Sequence, residues 1–242
     1  MTFSELHKLI RAKVHKIRNY YNRHGLWKSV LHFFDTVGCT FKYRELIFFE
    51  LRLQDAPSCQ ENDSGIELVR VRKEDIENAQ DYYDGWFSRE QALKRLDEGH
   101  ALLVVNDEGK MIFFQWIELR KAGIPHIDIS FSIPERTAYM AYIYTLPKYR
   151  GRAIATRAKR LVMKYLKENG YGRTFMVTAP DNVPSMKVNS NAGLRQYQAV
   201  TYWRLLFLKY YCVRDLATNR RRVSLRITRT DNQLWKAFSK IG

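Results

Sequence analysis

The sequence is short of cysteine. Its three, Cys39, Cys59 and Cys212, are far apart, odd in number and without CxxC spacing. That pattern excludes a disulfide scaffold, argues against a zinc site and fits a reducing compartment. The six histidines form neither HxxxH nor HExxH, so no structural metal is expected. Only 12 Gly and 6 Pro occur, which excludes collagen-like and Pro/Gly-rich disordered chains. No apolar run reaches the roughly 18–20 residues that span a bilayer. The opening MTFSELHKLIRAKVHKIRNYY is basic but lacks the continuous apolar stretch of a secretory signal, so the expected location is cytoplasmic. Acid is scarce too: 25 Asp+Glu against 41 Lys+Arg leaves a net charge of +16.

What is present suits a globular chain. With 242 residues, 45% hydrophobic and 14% aromatic, it can fill one large core, or one core and an appendage. A surplus of positive charge suggests an anionic partner. Its distribution is uneven: residues 1–53 carry net +6, residues 54–199 net +2 and residues 200–242 net +8. The segment 56–65, APSCQENDSG, is polar and turn-rich and reads as a linker. This divides the chain into a basic, aromatic-rich extension at 1–55 and a main domain at 66–242 with basic C-terminal strands.

Periodicity supplies the elements. Leu6, Ile10, Val14 and Ile17 predict a helix, and LWKSVLHFF (26–34) a second; TFKYRELIFFELRL (40–53) reads as a strand. Beyond the linker, 66–72 reads as a strand, while 73–83 and 88–99 read as helices, the latter capped by Ser88. Strands at 100–107 and 111–120 form a hairpin around Asp107-Glu108-Gly109. A strand at 138–146 ends at Pro147, and 151–170 is a helix with Ile154, Ala158, Leu161, Val162, Tyr165 and Leu166 on one face and Gly170 as its stop. A strand at 173–179, a short helix at 182–193 and one long strand at 198–211 complete the pattern. Strands joined by helices in this order predict a mixed α/β sheet.

The junction LPKYRGRAIATR (146–157) carries the chemistry. A strand ends, and a Gly- and Ala-containing turn opens directly into an amphipathic helix. Unpaired backbone N–H groups at the positive end of a helix dipole stabilise an anion, and small residues let a phosphate approach. The same turn also serves as an ordinary strand-to-helix connection.

Together with the short helix at 182–193, this junction resembles the GNAT superfamily of acyl-CoA-dependent N-acetyltransferases. The family signature is Gln/Arg-x-x-Gly-x-Gly/Ala after the fourth strand, then an Asn-containing short helix and Gly-Phe. The chain has Arg150-Gly151-Arg152-Ala153-Ile154-Ala155, then Asn182-x-x-Ser185-x-x-x-Asn189, then Gly193-Leu194. The resemblance covers roughly 66–211. It implies a GNAT-like mixed, mostly antiparallel twisted sheet flanked by helices, with the helical and strand extension before it. It further implies that Ile143, Tyr144 and Thr145 splay from the neighbouring strand and offer backbone groups to a pantetheine arm and thioester. The N–H groups of Gly151, Arg152, Ala153, Ile154, Ala155 and Thr156 would hold the pyrophosphate, with charge from Arg150 and Arg152. Asn182, Ser185 and Asn189 would line the thiol end of the cofactor.

Two departures stand out. Ala153 occupies a position that is usually Gly, and its methyl group reduces clearance while keeping the N–H. Asn189 occupies the place of a Tyr that protonates the leaving thiolate in many members, and an amide is no proton source. The implied reaction is attack of an amine on a thioester, which needs a base and a stabilised oxyanion. Where some members have a Glu in the fourth strand, this chain has Tyr139. The nearest acids are Glu118 on the preceding strand and Asp128 and Glu135 in the connection; the ordinary reading of each is a solvated or paired surface acid, and a water relay is equally open. The catalytic candidates are thus Glu118, Tyr139 and Asn189.

The expected partners are acyl-CoA, most simply acetyl-CoA, and an unidentified amine; a dimer is compatible with the sequence. Leu26, Trp27, Leu31, Phe33 and Phe34 beside seven Lys/Arg within 1–30 also fit an interfacial helix on anionic lipid. Arg220-Arg221-Arg222 precedes a basic-faced strand that could meet phosphate. No RNA-binding motif is present, so nucleic acid is disfavoured. Two alternatives stay open: a long-chain acyltransferase using an acyl-carrier or acyl-CoA donor at a membrane surface, and a CoA-binding module with a decayed site.

Overall fold

A computed structural model describes residues 41–58, 66–78, 87–205 and 208–226. The two basic helices expected within 1–34, with their lipid-facing aromatics, lie outside the described residues, as do 59–65 of the linker and the second half of the expected 73–83 helix. The described residues fall into two compact units, one within Leu46–Gln198 and the other within Met1–Glu45 and Ala199–Arg229. β1 (Phe41–Arg52) and β9 (Arg195–Leu205) contribute residues to both.

In the larger unit β2 (Leu68–Val71), α1 (Lys73–Asn78), α2 (Arg89–Asp97), β3 (Ala101–Asp107) and β4 (Lys110–Glu118) come first. After them come β5 (Lys121–Ile124), β6 (Ile129–Ser132), β7 (Thr137–Thr145), α3 (Ile154–Glu168), β8 (Arg173–Thr178) and α4 (Val183–Asn191). The strand order is β1-β8-β7-β4-β3-β2. β7 and β8 run parallel, and the β1–β8, β2–β3, β3–β4 and β4–β7 ladders are antiparallel. This is the mixed, mostly antiparallel sheet with flanking helices that the sequence implies.

Local chemistry explains the elements. Ser88 caps α2 in a reciprocal box: its hydroxyl accepts from the Gln91 N–H at 3.1 Å while the Gln91 side chain accepts from the Ser88 N–H at 3.1 Å. The β3–β4 turn places Glu108 at φ 49° and Gly109 at φ 76°, the left-handed pair that matches strand twist in a two-residue hairpin. Gly170, at φ 81°, ends α3 and donates to the Lys167 carbonyl at 3.0 Å.

The two sheet faces differ. On one, Ala158, Val162, Met163 and Leu166 of α3 are buried with Leu103, Phe113, Ile117, Met140 and Met176 from the strands. Leu161, expected on the buried face, is only half-buried, whereas Lys159 is fully buried. The other face is aromatic. Phe87 meets Phe114 and Trp116 edge-on at 5.2 and 5.7 Å, and Tyr139 stacks on Phe175 at 4.8 Å. Such pairs add roughly 0.5–1.5 kcal/mol each beyond their buried area.

Two expectations are corrected. The connection at 121–137 holds a two-stranded sheet, β5 with β6, in which Lys121 pairs with Ser132 and Ile124 with Ile129. Its strands are too short for their alternation to stand out. The single long strand expected at 198–211 is two: β9 ends at Leu205 and β10 (Leu208–Asp215) begins three residues later. In the smaller unit β10 pairs antiparallel with β11 (Arg221–Arg226), Tyr211 opposite Ser224. The apolar run is unbroken by Gly, Pro, Asn or Asp, so sequence had no signal for the break.

Candidate active site

The strand-to-helix turn has an irregular, exposed backbone. Pro147–Tyr149 form a 3-10 turn, Gly151 adopts φ 78°, Ala153 adopts φ 57°, and α3 starts at Ile154. Among the described residues, no backbone carbonyl accepts from the N–H groups of Gly151 through Thr156. Gly151, Arg152 and Ala153 are exposed. A Cβ on Gly151 would meet nothing within 4 Å, so the space before α3 is open to a phosphate. The turn is braced at both sides: the Arg150 Nε donates to the Thr145 carbonyl at 3.0 Å, and the Tyr149 hydroxyl donates to Asp107 Oδ2 at 2.6 Å. Arg152 lies 5.6 Å from the Tyr149 ring centre and Arg150 5.4 Å from that of Tyr144. The open N–H groups, the exposed glycine and the flanking arginines fit a pyrophosphate, as in coenzyme A.

The strand leading into this turn parts from its neighbour. β7 and β8 are paired at Thr137–Arg173, Ala138–Thr174 and Tyr139–Phe175, and not beyond. Opposite, the β4 ladder slips between Gln115 and Trp116: Trp116 faces Ala141 while Gln115 faces Ile143. Tyr142 is the extra residue, at φ 39°, a β-bulge that bends the strand. The buried Gln115 side chain donates to the Ala141 carbonyl at 2.5 Å, satisfying a group beside the bulge. Ile143, Tyr144 and Thr145 remain paired to β4, so their β8 side borders a wedge that opens toward the Gly151 turn.

On the aromatic face, Glu118 and Tyr139 are cross-strand neighbours. Glu118 is not the surface acid its sequence context suggested. It is 4% exposed, and its Oε2 has no hydrogen-bond partner among the described residues. Burial pushes its carboxyl up to about 7, with Arg95 and the nearby Gly123 amide opposing. Arg95 of α2 donates to Glu118 Oε1 at 3.3 Å, and its guanidinium lies 5.1 Å from the Trp116 ring centre and 4.2 Å from that of Tyr142. Tyr139 is buried, and desolvation, reinforced by Glu118, raises its phenol far above the usual range. It is a neutral phenol at any working pH. Asp128 sits at φ 51° beside Pro125–Ile127, and Glu135 is exposed.

Asn189 belongs to a different group. It is fully buried at the end of α4, accepts from Lys159 Nζ at 2.5 Å, and donates through Nδ2 to Thr178 Oγ1 at 3.0 Å. Thr178 Oγ1 lies 3.5 Å from Ser185 Oγ. Asn182 caps α4, accepting from the Ser185 N–H at 3.2 Å. The fold therefore brings Glu118 beside Tyr139, and Asn189 beside Ser185, as two separate groups.

Sequence reading passed over Arg95, Gln115, Tyr142, Lys159 and Thr178. Only Lys159 left a trace. It lies three residues before Val162 and four after Ala155, on the buried stripe of the helix.

The sequence pattern of the acetyltransferase (GNAT) family matches residues 67–190. Among solved structures, the fold resembles a GNAT-family acetyltransferase from Colwellia psychrerythraea (13% identity, TM-score 0.50, 69% of this chain and 57% of that one). Also similar are a Drosophila protein (16%, 0.46, 77% and 57%) and a GCN5-related glucosamine N-acetyltransferase region of a fungal multi-domain β-N-acetylglucosaminidase (16%, 0.49, 72% and 22%). The chain thus spans less than two thirds of each of these three structures. No similar sequence was found among curated proteins. No helix among the described residues is long and apolar enough to cross a membrane. With the family pattern spread over half of its length, the wedge and the open turn included, the chain belongs to the acetyltransferase (GNAT) family.

Proposed function

We propose that the protein transfers an acyl group, most simply acetyl, from coenzyme A to an amine of an acceptor molecule. The observation that carries this reading is the run of N–H groups from Gly151 to Thr156, free of backbone acceptors, at the mouth of the β7–β8 wedge. When bound there, acyl-CoA supplies a thioester carbonyl open to attack by an amine. The N–H groups of the turn and the Arg150 and Arg152 guanidiniums hold the phosphate charge. The Ile143 and Thr145 amides, which alternate with those turned toward β4, face the wedge and stabilise oxygen charge as it develops.

Glu118 is the base. A carboxylate with its proton affinity raised to about 7 accepts a proton near neutrality far better than an ordinary Glu, and burial keeps bulk water from competing. Arg95 holds it from one side, leaving Oε2 to take the proton directly or through one water. Tyr139, fixed by stacking on Phe175, shapes the wall beside Glu118.

Isothermal titration of the full chain with CoA tests the reading, followed by a coupled thiol-release assay with acetyl-CoA and a panel of primary amines. Binding, and its loss in Gly151→Pro, are the expected results. No binding at millimolar CoA overturns the reading.

A further inference from the structure

Among the described residues, the larger unit holds a buried cation with no counter-anion. Lys159 is fully buried on α3, and its ammonium meets two atoms: Asn189 Oδ1 at 2.5 Å and Met176 Sδ at 3.0 Å. The groups facing it are Met176 from β8 and Asn189 from α4, and neither is titratable. Among the described residues no charge acts on its proton affinity: burial alone lowers it, to about 7. A buried ammonium without an anion is costly, and a fold that keeps one has either neutralised it or placed it where an anion arises.

The position favours the second. Had the parallel β7–β8 ladder continued past Tyr139–Phe175, Thr178 would stand opposite Tyr142. Thr178 thus borders the wedge. Because Asn189 Oδ1 accepts from the ammonium, the Asn189 amide nitrogen must point to Thr178 Oγ1. That oxygen acts as acceptor, so the hydroxyl hydrogen of Thr178 is left for Ser185 or for a group in the wedge. Two donors in series, Lys159 and Asn189, thus run from the ammonium to Thr178 at the edge of the wedge.

Resting on the acyl-transfer reading above, we propose that Lys159 is a positioning residue for the leaving thiolate: its charge and the Asn189–Thr178 donor chain it orients stabilise the sulfur anion as it forms. In that step the amine nitrogen bonds to the acyl carbon and the carbon–sulfur bond breaks, its electron pair staying on sulfur. The amine proton goes to Glu118, and the thiolate accepts the Thr178 hydrogen bond until it leaves and takes a proton from solvent. The coupling is reciprocal: the ammonium lowers the proton affinity of the bound thiol, and the thiolate raises that of Lys159. This also accounts for Asn189 at the thiol end, where an amide has no proton to give.

The test reads the thiol of CoA bound to the full chain, through its thiolate absorbance across pH, in wild type and Lys159→Met. Methionine removes the charge and fills similar volume. The bound thiol should titrate below free CoA in wild type and at least one pH unit higher in the variant, roughly a tenfold loss of thiolate, with CoA affinity within about threefold. An unchanged thiol titration with intact CoA binding overturns the proposal while the acyl-transfer reading stands; absence of CoA binding by wild type overturns both. A measurement on the wild type alone guards against misfolding of the variant. The thiol of CoA bound to wild type should titrate below that of free CoA, and titration at or above free CoA overturns the assignment.

Discussion

Arg95 donates to Glu118 at 3.3 Å while its guanidinium lies against Trp116 and Tyr142. One side chain from α2 thereby ties the buried acid of β4 to the bulged residue of β7. The pair is uneven: burial outweighs the arginine, and the carboxyl ends near neutrality instead of well below its ordinary range. Charge was available to hold Glu118 ionised, and the fold withholds enough solvent to leave it half-protonated at about pH 7.

On the proposed reading, in which Glu118 takes the proton, it must be ionised, so the acidic limb of turnover should lie near pH 7. Glu118→Gln keeps shape and removes the proton acceptor. It should lower kcat by about 10²- to 10⁴-fold and abolish the acidic limb of the pH profile, with CoA affinity unchanged by titration. A variant with wild-type kcat would place the base elsewhere.

Arg95 lowers the proton affinity of Glu118. Arg95→Met should therefore move the acidic limb above 7. Steady-state rates across pH with one amine decide this. A limb that stays in place would show that the limb does not report Glu118.

Stability should depend on pH through two groups with opposite sign. The folded chain binds the Glu118 proton more tightly than an unfolded one, because the carboxyl goes from 4.5 to about 7; its contribution is full below 4.5 and declines as pH rises to 7. Lys159 goes from 10.5 to about 7, so the folded chain binds that proton less tightly. Its contribution improves as pH rises from 7 to 10.5. Each amounts to about 1.4 kcal/mol per pH unit within its window. Urea unfolding across pH should show Glu118→Gln flattening the first window and Lys159→Met the second.

Ala153 carries a side chain at φ 57°, where a Cβ costs roughly 1–2 kcal/mol. Ala153→Gly should raise stability by about 0.5–1 kcal/mol, since glycine gives back part of the gain as unfolded-chain entropy, and should tighten CoA binding. Gly151→Pro cannot reach φ 78° with its ring locked near −65°; it should remove CoA binding while the β10–β11 ladder persists. Thermal melts and calorimetry separate the two effects.

Much of the fold is legible along the chain. Ser88 announced its helix cap, Asp107-Glu108-Gly109 its hairpin, and Gly170 the end of α3, because each depends on a few neighbouring residues. Arg150 to Ala155 marked the strand-to-helix turn for the same reason. Other features left no such mark. The break between β9 and β10 depends on which strand pairs with Leu208–Asp215, and the β5–β6 pair depends on strands of four residues.

Within the candidate site the division is sharper. Sequence by itself determined the chain-local parts: the turn, the helix behind it, the short helix after Asn182 and the family pattern. Tertiary structure alone decided what the charges do. Glu118 gives no sign of burial in sequence, beside a surface-like Leu-Arg, and Lys159 shows only its place on the buried stripe of a basic helix. Each acquires its chemistry from burial by elements distant in the chain, Glu118 beneath Arg95 and Tyr139, Lys159 against Met176 and Asn189. Proton affinity is set by solvent access and by the charges within a few ångströms, and only the folded chain fixes those.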